Sequence, residues 1–253
     1  MKTLPIHIET AAGLHLSARL NMLNNTYHAT ALFAHCFTCG KDILAASRIS
    51  RQLAAQGFAV LRFDFTGLGT SEGEFADTSF SSNIQDLVEA AGWLRLNYQA
   101  PSLIIGHSLG GTAILAAAEQ LPEARAFVTI GSPSDPRHIL NLIGERSLAE
   151  IEANGDADVM LEGRTFRIRQ QFLRDAAEQR VLDQVRRLRK PLMIMHSPID
   201  TTVHIDHATA LFHAAAHPKS FVSLGDADHL VSKKTDADFI ADVIAAWSKQ
   251  YVG

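Results

Sequence analysis

Short apolar runs alternate with longer amphipathic stretches along most of the chain, and this alternation limits the possible folds more than any other feature. The runs TALFAH, FAVLRFD, SLIIGH, AFVTIGS, PLMIMHS and SFVSLG are nearly continuous in apolar residues, which predicts strands buried on both faces of a parallel sheet. Helices are predicted over residues 41–56, 80–97, 109–120, 204–216 and 235–250. Strands that alternate with helices form right-handed crossovers, so we expect a doubly wound α/β sheet.

Two segments depart from this alternation. Near the N-terminus, the alternating runs IHIET and HLSARL flank the turn sequence AAG, which predicts an antiparallel hairpin. Residues 133–190 lack an apolar strand and contain amphipathic pieces such as HILNLIGERSLAEIE, which predicts a helical cap insertion over the sheet edge. We therefore expect one domain over residues 1–253, with about eight mostly parallel strands and this small cap.

Charge and composition narrow the possible partners and compartment. The formal net charge of −4 gives no reason to expect binding to nucleic acid or to a membrane surface. No apolar run approaches the roughly 20 residues that span a bilayer, and the N-terminus lacks a signal-peptide core. Two cysteines do not make a disulfide framework. A reduced, cytoplasmic location is the resulting expectation.

The segment SLIIGHSLGGTAILAAAEQ places a serine between two glycines where a predicted strand meets a predicted helix. Gly106, Ser108 and Gly110 form the G-x-S-x-G pattern of a nucleophile elbow, in the strand–turn–helix context that the elbow requires. On so tight a turn the neighbouring backbone passes too close for side chains at the two glycines. A glycine-containing helix entry without chemistry is the alternative, and the flanking strand and helix favour a nucleophile.

A serine becomes nucleophilic when a histidine removes its proton, and that histidine needs a carboxylate to fix its tautomer. Asp200 follows the strand in PLMIMHSPID and His229 follows the strand in SFVSLGDADHL, so both are predicted at the carboxyl edge of the sheet. Asp226 and Asp228 are too near His229 in sequence to orient its ring easily. His196, at a strand end, is predicted to be structural. The histidines predicted at the surface are His204, His207, His213 and His217.

The loop HCFTC follows the first long strand, where sheets of this type supply a backbone donor for a developing oxyanion. By position this donor is the N–H of Phe37, and the second donor is the N–H of Leu109, next to the nucleophile. Cys36 and Cys39 form a C-x-x-C pair in the same loop. A zinc site would need further ligands, and a thioredoxin-like redox role is an open alternative. We interpret both cysteines as small residues in a tight loop.

Two other groups of residues receive a structural interpretation. The loop FDFTGLGTSEG lacks the G-K-[ST] of a phosphate loop, so Asp64, Gly67 and Gly69 are expected to shape the active-site rim. The insertion is rich in arginine, which could attract an anionic substrate, but a solvated helix face is the favoured interpretation. These arginines are Arg164, Arg167, Arg169, Arg174, Arg186, Arg187 and Arg189.

Taken together, these motifs resemble the serine α/β-hydrolase superfamily over essentially the whole chain. HCFTCGKD, LRFDFTGLGTSEGEF, IIGHSLGG, MHSPIDTTV and GDADHL look most like small bacterial cinnamoyl and feruloyl esterases. They look closer still to the bacterial hydrolase domain often fused to an osmotically inducible (peroxide-resistance) domain. The resemblance places Ser108, Asp200 and His229 in a catalytic triad, and Phe37 and Leu109 in an oxyanion hole.

The resemblance also has departures. Cys36, Cys39 and Ser197 stand where relatives usually have glycine. Cysteine in the oxyanion loop is expected to reshape the oxyanion hole, which affects the rate and not the reaction. The expected function is hydrolysis of a small-molecule carboxylic ester by two-step acyl transfer, with no cofactor or metal. A thioesterase or acyltransferase would use the same triad, and a catalytically silent binding domain would keep the fold alone. A thiol-based redox protein using the cysteine pair is the remaining alternative.

Overall fold

The strands predicted from the apolar runs lie side by side in one eight-stranded sheet. The computed structural model describes residues 1–161 and 163–252. Its ten strands are β1 (Lys2–Glu9), β2 (His15–Met22), β3 (Ala29–Ala34), β4 (Phe58–Phe63), β5 (Leu103–His107), β6 (Ala126–Ile130), β7 (Asp156–Leu161), β8 (Arg164–Arg169), β9 (Leu192–His196) and β10 (Lys219–Ser223). The large sheet has the order β1-β2-β4-β3-β5-β6-β9-β10, and β7 pairs with β8 apart from it. The expected mostly parallel α/β-hydrolase sheet is confirmed.

Strand direction within the sheet follows the two parts of the sequence pattern. The predicted hairpin β1–β2 is antiparallel, and β2 also runs antiparallel to β4. The remaining neighbours in the large sheet are parallel. Because parallel strands share one direction, the loops that follow β5, β9 and β10 leave the sheet at the same edge.

Helices cover both faces of the large sheet. They are α1 (Leu44–Ala55), α2 (Phe80–Asn97), α3 (Leu109–Ala116), α4 (Glu145–Asn154), α5 (Gln170–Glu178), α6 (Val181–Arg187), α7 (Asp206–Ala214) and α8 (Lys234–Val252). Across residues 1–161 and 163–252, none of them combines the length and the apolar character needed to cross a membrane.

Neighbouring residues of each central strand contribute to different cores. Leu32 and Ile104 pack with the core that includes α2 and α3, whereas Phe33 and Ile105 pack with α1 and α8. Side chains on a strand alternate between its two faces, so a strand covered on both sides needs apolar residues at every position. This requirement explains the continuous apolar runs from which the sheet was predicted.

The insertion between β6 and β9 corrects one expectation. The sequence predicted a helical cap over residues 133–190, but besides α4, α5 and α6 this segment contains the hairpin β7–β8. In β7 only Ala157, Val159 and Leu161 are buried, at every second position. A strand with one buried face alternates buried and exposed residues, so β7 contains no continuous apolar run of the kind that predicted the other strands.

Candidate active site

Ser108 lies on the sharp turn between β5 and α3, in a conformation that few residues adopt. Its φ is 54° and its ψ is −127°, and its N–H donates to the carbonyl oxygen of Ile130 at 2.8 Å. A non-glycine residue with positive φ is uncommon and strained, so the surrounding structure must hold it there. A Cβ on Gly106 would lie 2.5 Å from the Gly110 oxygen, and one on Gly110 would lie 2.3 Å from the His35 oxygen. Only glycine fits at both positions.

Loops after two later strands bring an imidazole and a carboxylate to this serine. His229 Nε2 lies 3.0 Å from Ser108 Oγ, and His229 Nδ1 lies 2.7 Å from Asp200 Oδ2. Asp200 and His229 follow Ser108 by about 90 and about 120 positions in the sequence. In the fold the three predicted residues form one hydrogen-bonded chain. The two neighbouring aspartates bond elsewhere: Asp228 accepts from the Ser232 N–H at 2.8 Å, and Asp226 pairs with a lysine.

Asp200 is held in its charged form by donors on both oxygens. Its Oδ1 accepts the N–H groups of Thr202 and Val203, each at 2.9 Å, while Oδ2 faces His229. Burial acts to raise the pKa of this carboxyl, but the hydrogen bonds from His229 and the backbone outweigh burial and lower the pKa below its usual value. An ionised carboxylate beside Nδ1 fixes the tautomer in which Nε2 can accept the serine proton.

Three buried or half-buried histidines brace the loops that carry the acid and the base. The Nε2–H of His107 donates to the His229 carbonyl at 2.7 Å. The Nε2–H groups of His196 and His138 donate to the carbonyls of Val203 and Thr202, at 2.8 and 2.9 Å. The structural role predicted for His196 agrees with this contact. The roles of His107 and His138 were not predicted from the sequence, although a polar side chain at the end of an apolar strand was a signal for His107.

The remaining histidines only partly match their predicted surface positions. His204, His213 and His217 are exposed. His207 is half-buried, and its Nδ1 accepts the Ser134 N–H at 3.2 Å. The prediction that His207 lies at the surface is therefore corrected, because the face of α7 that carries it is partly covered.

His107 makes the stability of the protein depend on pH. Burial, with a smaller effect of nearby His229, lowers its pKa from 6.5 to about 3. Below pH 6.5 the unfolded chain binds a proton at this residue that the folded protein does not, so the stabilising contribution falls as the pH decreases towards 3. At about 1.4 kcal/mol per pH unit, the loss between pH 6.5 and 5 is about 2 kcal/mol.

Replacing His107 with glutamine, which keeps an N–H donor, should therefore flatten the acid dependence of stability. Urea unfolding at pH 7 and pH 5 is expected to show a decrease about 1–2 kcal/mol smaller in the variant than in the native protein. Equal decreases in the two proteins would contradict a neutral, buried His107.

The two predicted oxyanion donors, Phe37 and Leu109, both line a small cavity next to the loop after β3 and the start of α3. Leu109 is the first residue of α3, so its N–H has no acceptor within the helix. Phe37 lies in the loop after β3, and among the described residues no backbone or side-chain acceptor bonds to its N–H. Both N–H groups are therefore available to a bound oxygen atom, provided that the loop keeps its shape.

The loop around Phe37 contains a covalent constraint that the sequence analysis did not predict. Cys36 and Cys39 are joined by a disulfide, with their Cα atoms 5.4 Å apart. The interpretation of two small reduced residues is therefore corrected. The spacing C-x-x-C was visible in the sequence, but spacing alone did not separate a disulfide from free thiols. Thr38, between the cysteines, has a φ of 60°.

A buried ion pair between Lys41 and Asp64 anchors the segment that directly follows the Phe37 loop. Asp64 accepts from Lys41 Nζ at 2.6 Å and from the Thr70 N–H at 2.9 Å, and both Lys41 and Asp64 are buried. A Cβ on Gly69 would lie 2.1 Å from Asp64 Oδ2. The expectation that Asp64 shapes the rim is therefore corrected, because it anchors the segment after the oxyanion loop. Gly67 has a φ of 72° and packs against the backbone of Phe75.

The cleft above Ser108 has a volume of about 170 Å³, and both polar and apolar groups line it. Leu142, Met160 and Leu230 stand on its rim and are 37%, 65% and 41% exposed. Its lining residues are Cys36, Phe37, Thr38, Cys39, Ser108, Leu142, Met160, Leu161, Thr202, His229 and Leu230. Among residues 1–161 and 163–252, no cluster of three or more histidine, cysteine or carboxylate side chains has the arrangement of a metal site.

Several arginines of the insertion are paired with acidic residues away from this cleft. Arg167 contacts Asp156 at 2.7 Å and Arg187 contacts Glu119 at 3.0 Å, both at the exposed surface. These contacts fit the interpretation of a solvated surface. Arg164 differs, because its guanidinium donates to the carbonyl of Thr38 in the oxyanion loop.

Comparison with known proteins assigns the class of the protein. The alpha/beta hydrolase family profile matches residues 31–243, and the chain belongs to this family. The esterase domain of a Rhodothermus marinus protein is 45% identical, with a TM-score of 0.82 and full coverage of both chains. Est1E of Butyrivibrio proteoclasticus with ferulic acid bound shares the fold, at 19% identity, a TM-score of 0.81 and coverage of 98% and 99%. The resemblance to small bacterial esterases is thereby confirmed.

A more distant relative carries a different activity in its name. The chain is 26% identical over 190 residues to the mitochondrial palmitoyl-protein thioesterase ABHD10 of Mus musculus. The match covers 71% of this chain and 62% of the mouse protein, so it spans about three fifths of that relative. The protein is a hydrolase of the alpha/beta hydrolase family, with both esterases and a thioesterase among the proteins that it resembles.

Proposed function

We propose that this chain is a serine hydrolase that cleaves a carboxylic ester by two-step acyl transfer. The observation that carries the proposal is the hydrogen-bonded chain from Ser108 Oγ through His229 to Asp200, at 3.0 and 2.7 Å. A serine, an imidazole and an ionised carboxylate in this order are the groups that nucleophilic acyl transfer needs.

In the first step Ser108 Oγ attacks the ester carbonyl while His229 Nε2 takes the hydroxyl proton. The negative charge that develops on the carbonyl oxygen is met by the N–H groups of Phe37 and Leu109. His229 then gives its proton to the leaving alcohol, and the acyl group stays on the serine. In the second step a water molecule, deprotonated by His229, releases the acid and restores Ser108.

The rim of the cleft favours an apolar group in the substrate. Leu142, Met160 and Leu230 are apolar side chains left partly open to solvent beside the nucleophile. Apolar rim residues stabilise a ligand by removing hydrocarbon from water, and they offer no partner to a charged group. We therefore place an uncharged acyl or alcohol group against this rim.

Among the alternative functions, thioester hydrolysis has an observation in its favour. A thioester would react through the same groups, and the named activity of the mouse relative favours this reading. A silent binding domain is disfavoured, because its function would not require Ser108, His229 and Asp200 to stay in contact. The strained backbone of Ser108 also carries a cost that binding alone does not explain.

A fluorophosphonate probe tests the nucleophile directly. The folded protein is expected to be labelled at Ser108, as mapped by mass spectrometry of the digested protein. Heat-denatured protein should not be labelled, because the reactivity depends on His229 and the oxyanion donors. Ser132, a buried serine close to the site, provides the matched control, since Ser132→Ala should keep the labelling that Ser108→Ala loses.

Lack of labelling in the folded protein, or labelling at another serine, would contradict the proposal. An oxygen ester and a thioester with the same acyl group then separate the two hydrolytic readings. If the protein is an esterase, kcat/KM is expected to be larger for the oxygen ester than for the thioester. The rate of the Ser108→Ala variant is subtracted as background for each substrate.

A further inference from the structure

The disulfide between Cys36 and Cys39 has no part in the acyl-transfer steps, yet it lies at the reacting centre. Both cysteines line the cleft that contains Ser108 and His229. Cys36 is 3% exposed and Cys39 is 9% exposed, so access to the bond is through the cleft and not from the outer surface. A reagent that reaches this disulfide therefore enters by the same opening as the substrate.

The disulfide closes a four-residue ring that contains a proposed oxyanion donor, the N–H of Phe37. Inside this ring the Cys39 N–H donates to the Cys36 carbonyl at 3.2 Å. Thr38 has a φ of 60°, which is a rare conformation for a residue branched at Cβ. Such a conformation persists only where the surroundings impose it, and the covalent ring is one of those constraints.

Other contacts hold the loop only in part. The Nδ1–H of His35 donates to the Cys36 carbonyl at 2.7 Å, and the Arg164 guanidinium donates to the Thr38 carbonyl. The Cys36 carbonyl and the Phe37 N–H belong to one planar peptide unit, so the His35 contact also acts on the direction of this N–H. The ring of Phe37 packs on Phe75 and Phe172, which keeps the side chain in place when the backbone turns. The same Cys36 carbonyl accepts the Cys39 N–H inside the ring, so the direction of the Phe37 N–H depends on the His35 contact together with the ring that the disulfide closes.

We propose that Cys36–Cys39 is a thiol-exchange site whose ligands are small thiols, and that its reduction slows hydrolysis by releasing the oxyanion loop. This inference rests on the proposed hydrolase function. A thiolate attacks one sulfur of the bond, and the S–S electron pair leaves on the other sulfur as a thiolate. A second thiol group displaces the first cysteine from the mixed disulfide. The products are two cysteine thiols and one oxidised thiol pair, so two electrons pass from the reagent to the protein.

The chemistry of the site connects this exchange with the choice of substrate. Hydrolysis of a thioester releases a thiol beside the disulfide, whereas hydrolysis of an oxygen ester releases an alcohol, which does not reduce it. The exchange site would therefore respond to thioester turnover and ignore ester turnover.

The test compares oxidised and reduced protein in hydrolysis of 4-nitrophenyl butyrate. Dithiothreitol is expected to lower kcat by about 10- to 100-fold, less than the 10²–10³-fold cost of removing an oxyanion donor outright. KM should change little, because the rim residues are untouched. Removal of dithiothreitol and reoxidation with diamide should restore the rate. The chain has only two cysteines, so each thiol counted with Ellman's reagent in unfolded samples comes from this pair.

A double variant, Cys36→Ser with Cys39→Ser, provides the control. It should hydrolyse the ester at the rate of the reduced native protein and should not respond to dithiothreitol. Its circular dichroism spectrum and melting temperature show whether it is folded, and the reversible loss of rate in the native protein does not depend on this variant.

Three results would overturn the inference: a disulfide that dithiothreitol leaves intact, two new thiols with an unchanged rate, or equal sensitivity in the double variant. Failure of the proposed function has a different signature. In that case the oxidised protein neither hydrolyses esters nor reacts with a fluorophosphonate, while the thiol count still reports whether the disulfide exchanges.

Discussion

Replacing Ser108 with alanine is expected to lower kcat for ester hydrolysis by about 10⁴- to 10⁶-fold, with only a small change in stability. In the proposed mechanism the hydroxyl forms the acyl-enzyme, and Ser108 Oγ lies 3.0 Å from His229 Nε2. Removing it leaves the oxyanion donors and the cleft in place, so a small residual rate remains. The measurement is single-substrate kinetics on purified protein, together with urea unfolding.

Asp200→Asn is the matched comparison for this variant. It preserves the shape of the side chain but favours the wrong tautomer of His229, and we expect a loss of about 10⁴-fold. Similar losses in the two variants would indicate that the groups act as a unit. A Ser108→Ala protein that keeps more than about a tenth of the native kcat would show that the nucleophile is elsewhere.

Gly110→Ala is expected to destabilise the protein by about 2–4 kcal/mol and to impair activity at the same time. The added Cβ would lie 2.3 Å from the His35 oxygen and 2.6 Å from the Ala34 oxygen. Both atoms belong to the backbone of a central strand and the loop after it, so neither can rotate away. The strand end must shift, and the proposed oxyanion loop moves with it. Urea unfolding by linear extrapolation measures the change in stability.

Gly92→Ala offers the same chemical change in a permissive place. Gly92 lies within α2, and a Cβ there would have its nearest neighbour at 3.9 Å, the Nη1 of Arg95. Because alanine is a better helix former than glycine, this variant should gain about 0.5–1 kcal/mol. If Gly110→Ala is stabilising, as Gly92→Ala is expected to be, then the close backbone contact does not explain why position 110 is glycine.

The fold was predictable because the central strands are buried on both faces. Burial of this kind demands continuous apolar runs, which stand out in the sequence and alternate with helices. The hairpin β7–β8 has one open face and no such run, and it was read as part of a helical cap. The pattern of apolar residues in a strand depends on how many of its faces are buried. A strand outside the main sheet is buried on one face only, so its apolar residues are fewer and harder to recognise in the sequence.

The contact among the three residues of the proposed triad was predictable for a different reason, which is their position at strand ends. Ser108, Asp200 and His229 each follow an apolar run, and parallel strands deliver such residues to one edge of the sheet. His138 follows no strand and contacts the acid loop only through the three-dimensional fold. The pairing of Lys41 with Asp64 likewise depends on the path of the chain between them, which the sequence pattern did not reveal.

Ser197 shows how one departure from related sequences is accommodated. The family resemblance places a glycine at this position, where this chain has a serine. In the structure its Oγ donates to the Gly225 carbonyl at 3.0 Å, which joins the ends of β9 and β10. The added side chain therefore supports the loops of both Asp200 and His229.

The hairpin β7–β8 places one wall of the cleft outside the sheet that carries the reacting groups. Met160 and Leu161 of β7 face the site, whereas Ser108, Asp200 and His229 follow strands of the large sheet. The residues that shape this wall and the residues proposed to react therefore belong to separate stretches of the chain. A change in the length or sequence of the hairpin would alter which molecules fit the cleft while Ser108, Asp200 and His229 keep their positions.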